Sequence, residues 1–309
     1  MKILVRDKSV KILKRTPKKS IEELREHSLV ILNKPKGPYS RKATRFLHDL
    51  GIKKAGHAGT LDPITTGVLP VFLNRGNKIS GILTISKKIY RANMHLHKEV
   101  PNTKIQKTVK KFTGKIEQMV PKKSAVKRQV RTREIYKSKI EKIKGRNVTL
   151  YVECEAGTYI RKLIHDIGEE LGVGANMDQL ERIKSGPFFL KHAHSIKVIN
   201  EAIKSKDETK LRKVLLPLER AVEEMPKVWV DDGVLKPFSY GSPIYYNGIL
   251  QLTDNIEFKD KVALFNTRNE LIGIGISRGN SKELLTETEG TAIRNDINLT
   301  KIKWYQKNY

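Results

Sequence analysis

The amino-acid sequence predicts an α/β protein of the α+β kind followed by a smaller β-rich module. Three observations predict it. At 309 residues the chain exceeds the ~100–200 usual for one domain. Up to Pro217, strand-like alternation interleaves with helical spacing. Beyond Pro217 the helical patterning gives way to short β-branched runs punctuated by Gly and Pro. With 38% hydrophobic residues, 30% charged residues and a mean hydropathy of −0.47, there is enough apolar matter for a core, which argues against wholesale disorder.

In chain order, Met1–Lys19 is basic and weakly patterned. Ser20 with Glu23 reads as a capping box opening a brief helix through Leu24. Leu29–Leu32 reads as a buried strand stopped by Asn33-Lys34-Pro35-Lys36-Gly37-Pro38. Ser40 reads as an N-cap, with Ala43, Phe46, Leu47 and Leu50 at helical spacing and Gly51 as the C′ residue. Gly56 to Gly67 is loop-like and precedes the apolar run Val68–Leu73. Tyr90, Ala92, Met94 and Leu96 share one face of a half-buried strand, with Arg91, Asn93, His95 and His97 on the other. Val148–Cys154 alternates likewise. After Gly157, Thr158 reads as the cap of a helix with the stripe Ile160, Leu163, Ile164, Ile167 and Leu171, closed by Gly172. The runs Val228–Val230, Lys261–Phe265 and Leu271–Ile276 suggest an all-β module of roughly eighty residues from near Met225.

Charge narrows the function classes. Lys plus Arg number 61 against 33 Asp plus Glu, a net +28. Between Pro101 and Leu150 there are 16 Lys/Arg against 3 Asp/Glu, so the charge is concentrated rather than spread. Such a field favours polyanions, nucleic acid first. No apolar run approaches the ~20 residues of a membrane helix, and the first residues carry no apolar signal core, so a soluble intracellular protein with no membrane partner is expected. The single Cys154 excludes a disulfide within the chain and any Cys-based metal cluster. On its strand's apolar face it reads as core. His95-x-His97 and His192-x-His194 have ligand-like spacing but no third ligand cluster, so no metal is expected.

The densest chemistry lies in Gly56-His57-Ala58-Gly59-Thr60-Leu61-Asp62-Pro63-Ile64-Thr65-Thr66-Gly67-Val68-Leu69-Pro70. Three glycines in twelve residues permit tight turns and close backbone approach to a ligand. Pro63 biases Asp62 toward an extended backbone, which gives its carboxylate a set direction. This segment resembles the catalytic motif of TruB-type pseudouridine synthases, including the dyskerin-like archaeal and eukaryotic branch. Asn33-Lys34-Pro35-Lys36-Gly37-Pro38-x-Ser40 resembles that family's first motif. Gly157-Thr158-Tyr159-Ile160-Arg161-Lys162-Leu163 with His165-Asp166-Ile167-Gly168, and Met177-x-x-Leu180-x-Arg182 with Gly186-Pro187-Phe188, resemble later ones. Ser124-Ala125-Val126-Lys127-Arg128 with Arg131 and Arg133 is similar to the dyskerin branch's basic stretch, and the β-rich tail to a PUA domain. Tyr39 stands where the family commonly has Thr, and Ala58 where it commonly has Ser or Gly.

The resemblance implies an α/β (α+β) pseudouridine synthase core with a mixed, mainly antiparallel sheet over 29–218, and a C-terminal PUA β-barrel over 225–300 on which an N-terminal arm, 1–28, packs. It implies isomerisation of uridine to pseudouridine with no cofactor, in agreement with the absence of a dinucleotide or P-loop fingerprint. Asp62 matches the essential aspartate. Tyr90 would stack on an everted uracil and offer its hydroxyl for proton traffic. Arg161 would pair with Asp62, a cation favouring the ionised carboxylate. Tyr159 and Leu180 match pocket positions, and His57 the residue that fills the space of the flipped base. Lys127, Arg128 and Arg131, in the basic stretch Lys122–Arg133, would clamp phosphates. The implied substrates are tRNA at position 55 of the TΨC loop and rRNA directed by an H/ACA guide RNA. The implied protein partners are a small zinc-ribbon protein, a Gly/Arg-type β-barrel protein and a kink-turn-binding protein. Without the Lys-rich tails of eukaryotic members, a prokaryotic cytoplasmic setting is expected. The alternative, a non-catalytic RNA-binding scaffold, would have no need of the intact set Asp62, Tyr90 and Arg161.

Overall fold

Burying both the alternating strands and the helical stripes before residue 217 takes a sheet covered by helices. The computed structural model describes residues 1–120, 127–205 and 207–300, so Lys122–Val126 of the basic stretch lie outside the described residues. Two compact units are present. One comprises Leu29–Asn74 and Ser80–Leu215; the other comprises Met1–Ser28, Arg75–Ile79 and the chain from Leu216 onward.

In the first unit the strands run in the order His27–Lys34, Thr65–Asn74, Ala175–Ser185, Lys88–Leu96, Asn147–Cys154, Val130–Lys144 and Gly114–Met119. Thr65–Asn74 pairs in parallel with Ala175–Ser185, whereas the pairs from Ala175–Ser185 outward to Gly114–Met119 are antiparallel. The expected alternation holds on Lys88–Leu96: Ala92, Met94 and Leu96 are fully buried in one cluster with Val148, Leu150, Val152 and Cys154. The helices Asn102–Lys111 and Ile160–Glu170 close over this face through Ile105, Val109, Ile160, Leu163, Ile164 and Ile167. An isolated eleven-residue helix would be marginal. Each buried aliphatic side chain of the stripe contributes about 1.5–3 kcal/mol, so packing holds this helix and with it everything carried at its N-terminus.

Two expected caps are corrected. Ser40 is the first residue of the helix Ser40–Thr44, and its hydroxyl bonds the backbone of Leu61. Thr158 donates to the Glu155 carbonyl at 2.8 Å, leaving Tyr159 as an N-cap with no side-chain bond. In both cases a tertiary or turn partner outcompetes the helix end for the hydroxyl.

In the second unit the strand order is Ile3–Val5, Ile249–Thr253, Lys227–Val230, Lys261–Phe265, Leu271–Ser277, Thr291–Asn298 and Ile244–Tyr245, around a core that includes Val228, Phe238, Leu252, Leu264 and Ile293. The Ser20/Glu23 capping box is formed. The weakly patterned N-terminus supplies an edge strand, Ile3–Val5, antiparallel to Ile249–Thr253. The module is not all-β: short helices span Leu235–Ser239 and Ser281–Thr286. The second is announced by a capping box, Asn280 with Glu283, a signal masked by the surrounding β-branched runs. Among the described residues no helix is long and apolar enough to cross a membrane, and no three His, Cys, Asp or Glu are grouped as metal ligands.

Candidate active site

Asp62 sits on the loop joining the short strand Ala55–His57 to Thr65–Asn74, and bonds from other segments pin almost every residue around it. The Leu61 N–H donates to the Ser40 hydroxyl at 2.8 Å, and that hydroxyl donates to the Leu61 carbonyl at 3.0 Å. The Pro63 carbonyl accepts from the Gly37 N–H at 2.8 Å, and the Thr65 N–H donates to the Asp62 carbonyl at 3.0 Å. The fully buried ammonium of Lys34 donates to the carbonyls of Pro35 and Thr65, both at 2.9 Å. Burial pulls its pKa down, while Asp62 opposes the shift. Gly67 has φ +100°, and a Cβ there would lie 2.3 Å from the Arg182 carbonyl oxygen. Only glycine lets the two parallel strands meet at Gly67 and Arg182.

The carboxylate itself stays in the open. Asp62 Oδ2 lies 3.0 Å from Arg161 Nη2, with the side chains 62% and 55% exposed. So exposed a pair adds only ~0–1 kcal/mol to stability; what it supplies is orientation of the carboxylate. Arg161 is in the first turn of Ile160–Glu170, whose start is held from the neighbouring hairpin. Buried Gln118 accepts from the Tyr159 N–H at 3.0 Å and donates to the Tyr159 carbonyl at 3.1 Å. Arg133 bonds Glu155 at 3.1 Å and packs on Gly157, which stiffens the turn before the helix.

Beneath the loop lies a buried cationic layer. Arg182, 1% exposed, donates from Nε to the Val68 carbonyl at 2.7 Å and from Nη2 to the Gly59 carbonyl at 2.9 Å. It also hydrogen-bonds the Tyr90 hydroxyl, its antiparallel neighbour. Burial pushes the Tyr90 phenol above its ordinary value against the opposing pull of Arg182, so Tyr90 is protonated at neutral pH. Its oxygen accepts from the guanidinium, so the O–H remains a donor. Lys88, 4% exposed, donates to the carbonyls of Leu83, Thr84 and Ser86 at 2.6, 3.0 and 2.5 Å. Burial, and then the charge of Arg182, pull this amine down to about 7. Burial pushes the Cys154 thiol up to about 12, which keeps it an inert core group.

The structure thus joins Asp62 with Arg161, and joins Tyr90 to the same loop through Arg182. His57 ends the strand Ala55–His57. Burial first, then Arg182, lower its pKa, and its buried Nδ1 has no hydrogen-bond partner among the described residues. Leu180 lies in the core cluster against which Tyr90 packs, between Thr65 and Ala92 on the adjoining strands. Tyr159 is half-buried at the helix start. Arg131 is half-buried opposite Gln118 in the hairpin, whereas Lys127 and Arg128 are exposed where that hairpin's strands connect. Arg182, Lys88, Lys34 and Gln118 were not among the expected site residues. The available signal was a polar group on an apolar strand face: Arg182 shares a face with Leu180, and Lys88 with Tyr90, Ala92 and Met94. The second unit holds a cavity of about 410 Å³ lined by Gly241, Pro243, Arg278, Thr291, Arg294 and Asn295.

Comparison with known proteins agrees along the chain. Residues 47–160 match the TruB family pseudouridylate synthase N-terminal domain, 161–223 the tRNA pseudouridylate synthase B C-terminal domain, and 226–298 the PUA domain. A probable tRNA pseudouridine synthase B of Nanoarchaeum equitans is 41% identical over 277 residues, covering 88% of this chain and 80% of its own. That of Pyrococcus furiosus is 39% identical over 298 residues, covering 94% and 87%. Among solved structures, a Cbf5–Nop10–Gar1 complex matches with a TM-score of 0.93 at 37% identity, over 98% of this chain and 95% of that one. An H/ACA RNP bound to a substrate RNA containing 2′-deoxyuridine matches with a TM-score of 0.91 at 35% identity, over 98% and 96%. With three family models matching in series over 47–298 and relatives 39–41% identical over most of its length, the chain belongs to the TruB family of pseudouridylate synthases, which are RNA isomerases.

Proposed function

We propose that this chain isomerises uridine to pseudouridine in RNA, with Asp62 as the group that acts on the nucleoside. The carrying observation is the contrast at Asp62: a backbone pinned on both sides and a carboxylate left exposed, aimed by Arg161 at 3.0 Å. A carboxylate needed only for folding would be buried or capped. The reaction breaks N1–C1′, turns the base and forms C5–C1′. The proton leaving C5 is balanced by one gained at N1, so neither oxidant nor imported group is required. Because a stacked uridine is out of reach, it must be everted. In this reading Tyr90 stacks on it and presents its hydroxyl proton, Arg161 holds the carboxylate, and neutral His57 with Tyr159 and Leu180 shapes the pocket. Lys127, Arg128 and Arg131 would contact phosphates.

The substrates we assign are tRNA at position 55 and, with an H/ACA guide RNA, rRNA. The likeness to tRNA pseudouridine synthases B and to Cbf5 in complexes supports both routes. Two small protein partners, a zinc-ribbon and a Gly/Arg-type protein, are supported by the likeness to Cbf5 in complexes with Nop10 and Gar1, and a kink-turn-binding partner rests on the sequence resemblance. We assign catalysis to 29–218 and RNA anchoring to 225–300, where Arg278 and Arg294 line the cavity, with 1–28 as an arm on the latter. The test is Asp62→Asn. Pseudouridine, mapped chemically on tRNA and on guided rRNA transcripts, should fall to background while RNA affinity changes by less than about twofold. Normal turnover would remove Asp62 from its role.

A further inference from the structure

Asp62 is bracketed by a second loop that presents an unexplained aromatic ring. Gly37 is bonded to Pro63, and Ser40 to Leu61, so residues 38 and 39 lie between the two attachments that flank Asp62. Tyr39 occupies that position and is 68% exposed. Its backbone is not slack. Pro38 precedes it, its φ and ψ are −60° and 152°, and its carbonyl accepts from the Ala43 N–H at 2.9 Å as the helix begins. A large ring on a backbone held at both ends, uncovered by protein and carried by the loop that is bonded on either side of Asp62, serves neither core nor cap. Turning one nucleotide out of the stack leaves its neighbour with an uncovered face, and aromatic rings bind such faces without regard to base identity. In a chain of net charge +28, the occupant that fits is single-stranded RNA.

We propose that Tyr39 is a stacking platform for the base of the nucleotide next to the everted uridine. This rests on the reading of the chain as an RNA uridine isomerase, and it adds a contact at the flanking nucleotide. Threonine, which the family commonly carries there, has no face to offer. The platform therefore strengthens binding of the loop strand and holds the neighbour in place while the target base turns.

The test uses the full chain and a stem-loop RNA with the target uridine in its loop and 2-aminopurine on either side of it in turn. Binding should quench the fluorophore at one flanking position. Tyr39→Phe should retain that quench, and Tyr39→Ala should lose it with affinity about 5- to 150-fold weaker, the span for one stacked base. Replacing that flanking nucleotide with an abasic residue should bring wild type and Tyr39→Ala to equal affinity. Equal quench and affinity in Tyr39→Ala would overturn the proposal. So would a loss that persists on abasic RNA, a Phe variant as defective as Ala, or a Tyr39→Ala defect confined to binding a protein partner. Mapping pseudouridine on the same RNA separates the two claims. A Tyr39-dependent quench without product would sink the isomerase reading alone, and product without that quench would sink the platform alone.

Discussion

Replacing Arg182 with methionine should separate stability from activity. The guanidinium makes bonds of 2.7 and 2.9 Å to the carbonyls of Val68 and Gly59 and one to the Tyr90 hydroxyl. Hydrogen bonds to a charged group are worth about 1.5–3 kcal/mol each, so the two carbonyl bonds represent about 3–6 kcal/mol. Against this, the charge is 1% exposed, and the groups that favour it are Tyr90 and Cys154 rather than a carboxylate. Its effective desolvation is itself several kcal/mol. Methionine fills similar volume without that cost, so the two terms nearly offset and unfolding free energy should stay within about 2 kcal/mol of wild type. Activity has no such compensation. Gly59 is three residues from Asp62, and slack of about 1 Å at a reacting group costs on the order of 100-fold. Calorimetry and single-turnover pseudouridine formation with enzyme in excess measure the two quantities. A rate within threefold of wild type would refute the argument that Arg182 positions the loop. Loss of the folded state would refute the argument that its desolvation offsets its bonds.

Arg161→Ala should cut the single-turnover rate at least 100-fold while shifting stability by less than about 1 kcal/mol, since its partner lies in solvent; a comparable loss in both would make the pair structural. Gly67→Ala should cost about 3–5 kcal/mol, from positive-φ strain together with a Cβ placed 2.3 Å from a carbonyl oxygen, read as a lowered Tm. Lys88 is depressed to about 7 when folded and titrates near 10.5 when unfolded. Between those values the unfolded state binds the extra proton, so stability should rise with pH by up to about 1.4 kcal/mol per unit. Lys88→Met should remove that rise relative to wild type in denaturation series from pH 7 to 10. Alanine at Lys127 or Arg128 should lower the salt slope of RNA binding by about 0.7 each, without changing the uridine modified; an unchanged slope would place those side chains off the backbone.

The aspartate loop was legible because its chemistry is local: glycine, proline and threonine set turns through their own φ, ψ and hydrogen-bonding habits. The stripe of Ile160–Glu170 and the alternation of Lys88–Leu96 were legible for the same reason, since periodicity names a buried face before its partner is known. Ser40 was misread because nothing near it in sequence announces Leu61, whose backbone takes its hydroxyl. Arg182 and Lys88 were passed over because a lone cation among apolar residues acquires meaning only from the carbonyls facing it. Those facing Arg182, on Gly59 and Val68, are 123 and 114 residues away in the chain, and those facing Lys88, on Leu83, Thr84 and Ser86, are only 5, 4 and 2 residues back but converge on the amine only once the chain turns into the strand.

By itself the sequence determined the family, the bias toward polyanions and the faces that the main strands and helices would bury, and it singled out the Asp62 segment, all properties carried by short-range spacing and composition. Tertiary structure alone decided how the Asp62 loop is held: which hydroxyl, amide and guanidinium reach it across 21 to 123 residues of chain. The reason is physical. A buried polar group must find its partners wherever the fold provides them, and no spacing along one strand records which carbonyl another strand will bring.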